Sequence, residues 1–410
     1  MQQQELIPQL FKSEYRKIIS VLCKLFGTAH IALAEDITHD TFLLASETWG
    51  LKGIPQNPTA WLYTVAKNKT IDHFRRNKLF SEKIREELKG TQTVSEEMEI
   101  DLSVENISDS QLKMMFVICN PLIPVEAQIG LALRILCGFG IDEIADAFLS
   151  NKETINKRLF RAKEKLREEN IKVELPPANE INSRLENVLT TLYLLFNEGY
   201  HSTTQTTSIR KDLCLEAMRL CYLLLEHPKT NTPPVNALMS LMCFHSSRFE
   251  ARLGQSGESI LYDQQDRSLW DSDLIAQGNY FLIESAKGNE ISKYHLEASI
   301  AYWHATPQEN SDRWKNILEL YNKLVLIDPS PMVALNRAYV LSKAKGKELA
   351  IKEAEKIGLS NNHFYYGLLG NLYTNLNNKK AADYYKEAIK YCKSPNDKLI
   401  FEQHLQALTH

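Results

Sequence analysis

Two stretches of this 410-residue chain gather lysine, arginine and asparagine at spacings suited to holding a nucleic acid. From Lys152 to Arg167 there are seven Lys/Arg and two Glu. Asn156, Lys157, Arg158 and Arg161 fall off the apolar stripe made by Ile155, Leu159, Ala162 and Leu166. On a helix in a major groove, such cations meet phosphates while Asn and Arg meet base edges. The other reading is a helical hairpin with a solvated basic face. Upstream, Lys67, Asn68, Lys69, Arg75, Arg76 and Lys78 surround a buried side of Trp61, Leu62, Val65 and Ile71, with Tyr63, His73 and Phe74 interleaved. Cations with aromatics suit single-stranded or opened DNA, where rings stack on bases and charges hold the backbone. Trp61 fits a core anchor as well as a base-stacking role.

Bond-making chemistry finds little support. Glu198, Asp263, Asp266, Arg267 and Asp271 could form a carboxylate site with His201 as base, but no order of nucleophile, base and orienting group emerges. Arg267 is expected in a buried Arg–Asp network tying helices together. No phosphate-binding glycine loop is present. His245, His295, His304 and His363 lack ligand spacing, and the seven cysteines include no CxxC, so neither metal nor cofactor is expected. Cys214 and Cys221, seven apart on a helical stripe, are expected to be buried thiols. The chain reads as a non-enzyme.

The elements that must position the basic residues are helical throughout. Ile141, Ile144, Ala145 and Phe148 form one short stripe, and about four residues separate it from the helix after Lys152, the geometry of a helix-turn-helix. Residues 5–26 carry helical spacing up to Gly27, and AEDITHDTFLLASETW gives a further helix with Asp36, Asp40 and Glu47 on an acidic face. Charge is segregated. Residues 1–80 hold ten Lys/Arg against seven Asp/Glu, 81–110 three against nine, 111–172 ten against eight, and 173–410 twenty-five against twenty-seven. The surplus positive charge thus lies in two modules either side of an acidic linker. A polar start and the lack of a long apolar run predict neither leader nor membrane span, and a cytoplasmic location.

In this order, AEDITHDTF, WLYTVAKNKTIDHFRR, the acidic linker and IDEIADAF…TINKRLFRAKEKL resemble the extracytoplasmic-function (ECF) sigma factors of bacteria. The resemblance implies an all-α chain without enzymatic activity. Residues 1–80 would be region 2, 81–110 the linker, 111–172 region 4 and 173–410 an extension. Glu35, Asp36, Asp40 and Phe42 would dock on the coiled coil of the β′ subunit of core RNA polymerase. Trp61, Asn68, Asp72, Arg75 and Arg76 would capture an opened −10-type promoter element. Region 4 would touch the polymerase β flap, with Thr154, Asn156, Lys157, Arg158 and Arg161 facing a −35-type element. Leu149 stands where the family's turn more often has Gly; Phe148-Leu149 instead resembles the subgroup with a long C-terminal extension. A rival reading is a helix-turn-helix regulator that works without polymerase.

The extension starts after Pro176-Pro177, a stiff joint. LYLLFNEGY and DQQDRSLWD resemble that subgroup's extension. Leu335/Leu369, Tyr339/Tyr373, Glu353/Glu387 and Ala354/Ala388 each lie 34 residues apart, the period of tetratricopeptide (TPR) repeats. A solenoid of this kind binds a protein or peptide. It would either hold the DNA-binding modules closed or brace them on polymerase.

Overall fold

The computed structural model describes residues 3–76, 100–148, 150–200, 210–252, 254, 260, 262–306, 312–392 and 395–408. Among these residues there are 18 α-helices and no strand, an all-α fold. The chain divides into two compact units, Met1–Leu194 and Leu195–His410. The division falls within a helix, later than the joint at Pro176-Pro177. Lys78, most of the acidic linker, Leu149 and His201 lie outside the described residues.

The first unit opens with α1 (Gln3–Phe26), α2 (Ile31–Lys52) and α3 (Pro58–Arg76). Tyr15, Ile18, Ile19, Leu22 and Phe26 bury one side of α1 at helical spacing. Gly27, at φ 78°, stops that helix, its N–H bonded to the Cys23 carbonyl. On α2, Trp49 meets the edge of Trp61 at 5.4 Å, which ties α3 to the same core. Asn57 caps α3 by accepting from the Ala60 N–H, with Pro58 in the first turn.

α4 (Val104–Ile118) begins inside the span read as linker, with the Ser103 hydroxyl accepting from the Asn106 N–H. It packs on α1, where Lys24 Nζ donates to both Asn106 Oδ1 and Asp109 Oδ2 at 2.7 Å. Val21, Ile100 and Ile107 form the apolar seam beneath. α5 (Val125–Leu131) runs into a π-helical turn, Ala132–Leu136. α6 (Ile141–Ala147) and α7 (Lys152–Glu168) follow, the two helices that the sequence stripes predicted. α8 (Ile181–Tyr200) carries the chain across the division. Its first part belongs to the first unit, with Arg184 donating to the Phe116 carbonyl at 2.6 Å and Thr191 to Gln128 Oε1 at 2.8 Å.

Helices α9 (Lys211–Glu226), α10 (Pro233–Ser246), α11 (Ser272–Ser285), α12 (Lys293–Ala305) and α13 (Arg313–Ile327) stack in sequence in the second unit. Hairpins α14–α15 (Pro331–Lys345, Lys347–Ile357) and α16–α17 (His363–Tyr373, Asn378–Tyr391) come next, and α18 (Pro395–Ala407) ends the described fold. Residues 34 apart share their environment: Leu335 and Leu369 are buried, as are Ala354 and Ala388, while Tyr339 and Tyr373 are half-buried. All seven cysteines are free thiols, six of them buried, including Cys214 and Cys221.

One expectation is corrected in this unit. Arg267 is exposed and lies 5.8 Å from the Trp270 ring, outside any buried Arg–Asp network. Asp266 and Asp271 serve as helix caps, accepting from Ser268 N–H and from Asp273 and Leu274 N–H. The inward cations here are Arg248 and Arg313: both lie over Tyr262, and Arg313 donates to its hydroxyl at 2.7 Å.

Candidate nucleic-acid and polymerase interface

α7 carries the five residues that the sequence assigns to a −35-type element, Thr154, Asn156, Lys157, Arg158 and Arg161. Asn151 starts it, accepting from the Thr154 N–H at 2.8 Å, and Glu153 lies in the first turn. Ile155, Leu159, Ala162 and Leu166 are buried; Thr154, Asn156, Lys157 and Arg161 are exposed. Arg158 is half-buried, its guanidinium 5.5 Å from the Phe148 ring centre. A cleft of about 400 Å³ runs beside this row, floored by Leu122, Ile123, Pro124 and Ala127. α7 can approach α5 closely because Gly130 has no Cβ, which would sit 2.9 Å from Leu159.

On α3, Asn68 and Asp72 are exposed and Trp61 is half-buried against Trp49. That contact gives Trp61 an anchoring role and leaves part of its ring accessible. Arg75 and Arg76 are the last helical residues of α3, and their side chains lie outside the described part. Lys69 reaches across to Asp40 at 3.4 Å.

The four α2 residues separate into two pairs. Asp36 and Asp40 face solvent, whereas Glu35 and Phe42 are buried at 7% and 5% exposure. Phe42 packs against the Phe11 ring at 5.0 Å. Glu35 Oε1 accepts from Arg134 Nε at 3.0 Å and Oε2 from Lys163 Nζ at 2.7 Å. Arg134 also donates to the Phe139 carbonyl at 3.1 Å and to His39 Nε2 at 2.7 Å, and it lies 5.4 Å from the Tyr15 ring. Since arginine only donates, His39 accepts here as the neutral imidazole, and burial followed by Arg134 holds its pKa below the usual value. Burial alone would raise the Glu35 carboxyl, yet Lys163 and Arg134 outweigh it and hold the pKa below the ordinary range.

Sequence reading missed Arg134 and Lys163 as partners of Glu35. The available signal was Arg134 itself, one cation inside the apolar run LALRIL, since an unpaired arginine is rarely buried. In the second unit the fold also gathers His363, Cys392 and Asp397, ligand atoms within 4.8 Å of one another. His363 Nε2 and Asp397 Oδ2 stand 4.0 Å apart, whereas donors around one zinc stand roughly 3.5 Å apart.

Residues 10–80 match the family Sigma-70 region 2, and residues 184–286 match a family of unknown function, DUF6596. The region 2 match supports a sigma factor of the sigma-70 family with a role in transcription initiation, and it implies binding of core RNA polymerase. The chain is also 35% identical over 348 residues to Uncharacterized protein R00370 of Rhizobium meliloti (strain 1021), covering 84% of this chain and 82% of that protein. No solved structure matches. Among the described residues no helix is long and apolar enough to cross a membrane.

Proposed function

We propose that the chain is a sigma factor of the ECF type whose extension regulates or braces it. The observation that carries this reading is the exposed row on α7, joined in one chain to a sigma-70 region 2 domain. Asp36 and Asp40 meet the β′ coiled coil of core polymerase first. α3, with Asn68, Asp72 and the accessible part of Trp61, receives the opened −10-type strand, and Arg75 and Arg76 follow along its backbone. Thr154, Asn156, Lys157, Arg158 and Arg161 face the −35-type element, while region 4 also meets the β flap. Phosphate contacts supply salt-dependent affinity and the few polar side chains supply sequence. The second unit is read as TPR-like on its 34-residue equivalences and takes a protein or peptide partner.

Run-off transcription with purified core polymerase on fragmented genomic DNA tests the reading; defined start sites are the expected result. Failure to bind core at low salt overturns it. At residue level, Lys157→Ala is expected to weaken promoter binding evenly across sequences and to lower the salt slope by about one. Core affinity should stay the same. A salt titration of promoter affinity checks this.

A further inference from the structure

Glu35 is the point where the two sigma modules meet, and its two partners come from separated parts of the chain. Arg134 arrives from the π-helical turn and Lys163 from α7, the helix that carries the DNA-facing row. Around this centre the joint is extended by Lys12 to Glu143 at 3.2 Å and by the Thr28 hydroxyl donating to the Ile171 carbonyl at 2.6 Å. The Gly138 backbone passes so close to Lys12 that a Cβ there would lie 3.2 Å from its carbonyl oxygen. α4 adds the Lys24 bridge to Asp109. All these contacts lie within the first unit, so the extension is not needed to make them.

We propose that, in the unengaged protein, the Glu35 face of α2 is a docking surface for the chain's own second module, and that polymerase binding is an exchange at that face. This rests on the sigma reading above. The α2 surface then has two tiers. Asp36 and Asp40 are open to a basic partner from the start. Glu35 becomes available only when Arg134 and Lys163 leave it, and their departure frees α7. A partner bringing cations to α2 substitutes for the two it displaces, so the carboxylate is never left buried and unpaired. Because the coupling is reciprocal, DNA held on the released α7 raises the affinity for polymerase, and polymerase raises the affinity for DNA. The packing of α7 thereby connects core binding to promoter reading without any signal from the extension.

The test uses the full-length protein. Lys163→Gln removes one displaced cation at a partly exposed site, outside the DNA-facing row, and Arg134→Gln removes the other. In a third form, Lys12→Cys and Glu143→Cys in a Cys392→Ser background are joined by a cleavable bis-maleimide linker. Core affinity is measured by fluorescence anisotropy, and α2 and α7 are followed by amide hydrogen exchange. Lys163→Gln should bind core about tenfold tighter, within the range typical of such couplings, and should exchange faster around 155–166. The linked form should bind at least about tenfold weaker and recover on cleavage. Unchanged affinity and exchange in Lys163→Gln overturn the proposal, as does normal core binding by the linked form. Should Arg134→Gln unfold, Lys163→Gln and the linked form still decide. Faster exchange in Lys163→Gln with no form binding core overturns the exchange and the sigma reading together; self-docking would then stand alone.

Discussion

His304 ends α12 beneath a set of rings and cations, and its chemistry shows how tightly the second unit encloses a titratable group. Arg313 Nη2 lies 3.3 Å from its Nδ1, Tyr262 meets its ring edge-on at 5.2 Å, and Trp314 meets it at 6.1 Å. Loss of water, followed by Arg248 and Arg313, pushes its pKa down to about 3. The native ring thus refuses a proton that the unfolded chain accepts below about pH 6.5. Its stabilising contribution is complete above that pH and falls as pH drops toward 3, at up to about 1.4 kcal/mol per pH unit. Replacing His304 with Gln should flatten the acid limb of the second unit's stability. Urea unfolding at pH 7 and pH 4.5 would show it; an equal loss in both proteins would move the acid sensitivity to other groups. Such a half-buried histidine is silent in the sequence, where it is one of eleven without pattern.

Helices were the most legible elements, because burial imposes a period that the residue types must follow. The stripes at 141–148 and 155–166 predicted α6 and α7, and the buried set on α7 is Ile155, Leu159, Ala162 and Leu166 as spaced. The start of α4 at Val104 was hidden among acidic residues that read as linker, although Ser103 followed by Asn106 carried the cap. Ion pairs such as Arg134 with Glu35 leave no periodic trace, since their partners stand 99 residues apart. Arg267 misled for the converse reason: a cation flanked by aspartates in sequence turned outward while those aspartates capped helix starts. In the hairpins α14–α15 and α16–α17, residues 34 apart share burial at Leu335 and Leu369 and at Ala354 and Ala388. There, Gly370 on α16 lets the Tyr385 ring of α17 approach to 2.8 Å of where a Cβ would sit. Gly370→Ala should overpack this hairpin and cost about 1–3 kcal/mol. Thermal unfolding tests it, and an unchanged melting point would show that the hairpin shifts freely to make room.

At the scale of the whole molecule, the division at residue 194 changes where the chain can be cut. A fragment ending at residue 176 loses the part of α8 that bonds Phe116 and Gln128 and buries Leu185 and Val188. Fully burying such aliphatic side chains stabilises by about 1.5–3 kcal/mol each. Residues 1–200 should therefore melt cooperatively at a higher temperature than residues 1–176, by calorimetry or circular dichroism. Equal melting would make the start of α8 dispensable. The longer fragment is accordingly the one in which constitutive transcription would mark the extension as an inhibitor, and lost transcription would mark it as a brace.

The long separations across the Glu35 joint also have a consequence in time. Arg134 and Lys163 follow Glu35 by 99 and 128 residues, so both are made after α2 has been translated. At about 5–20 residues per second, the ribosome needs roughly 5 to 25 s to supply them. During that interval a nascent chain carries an acidic helix with its inner carboxylate uncovered. Each molecule therefore begins life open, and closes only as its own later sequence emerges.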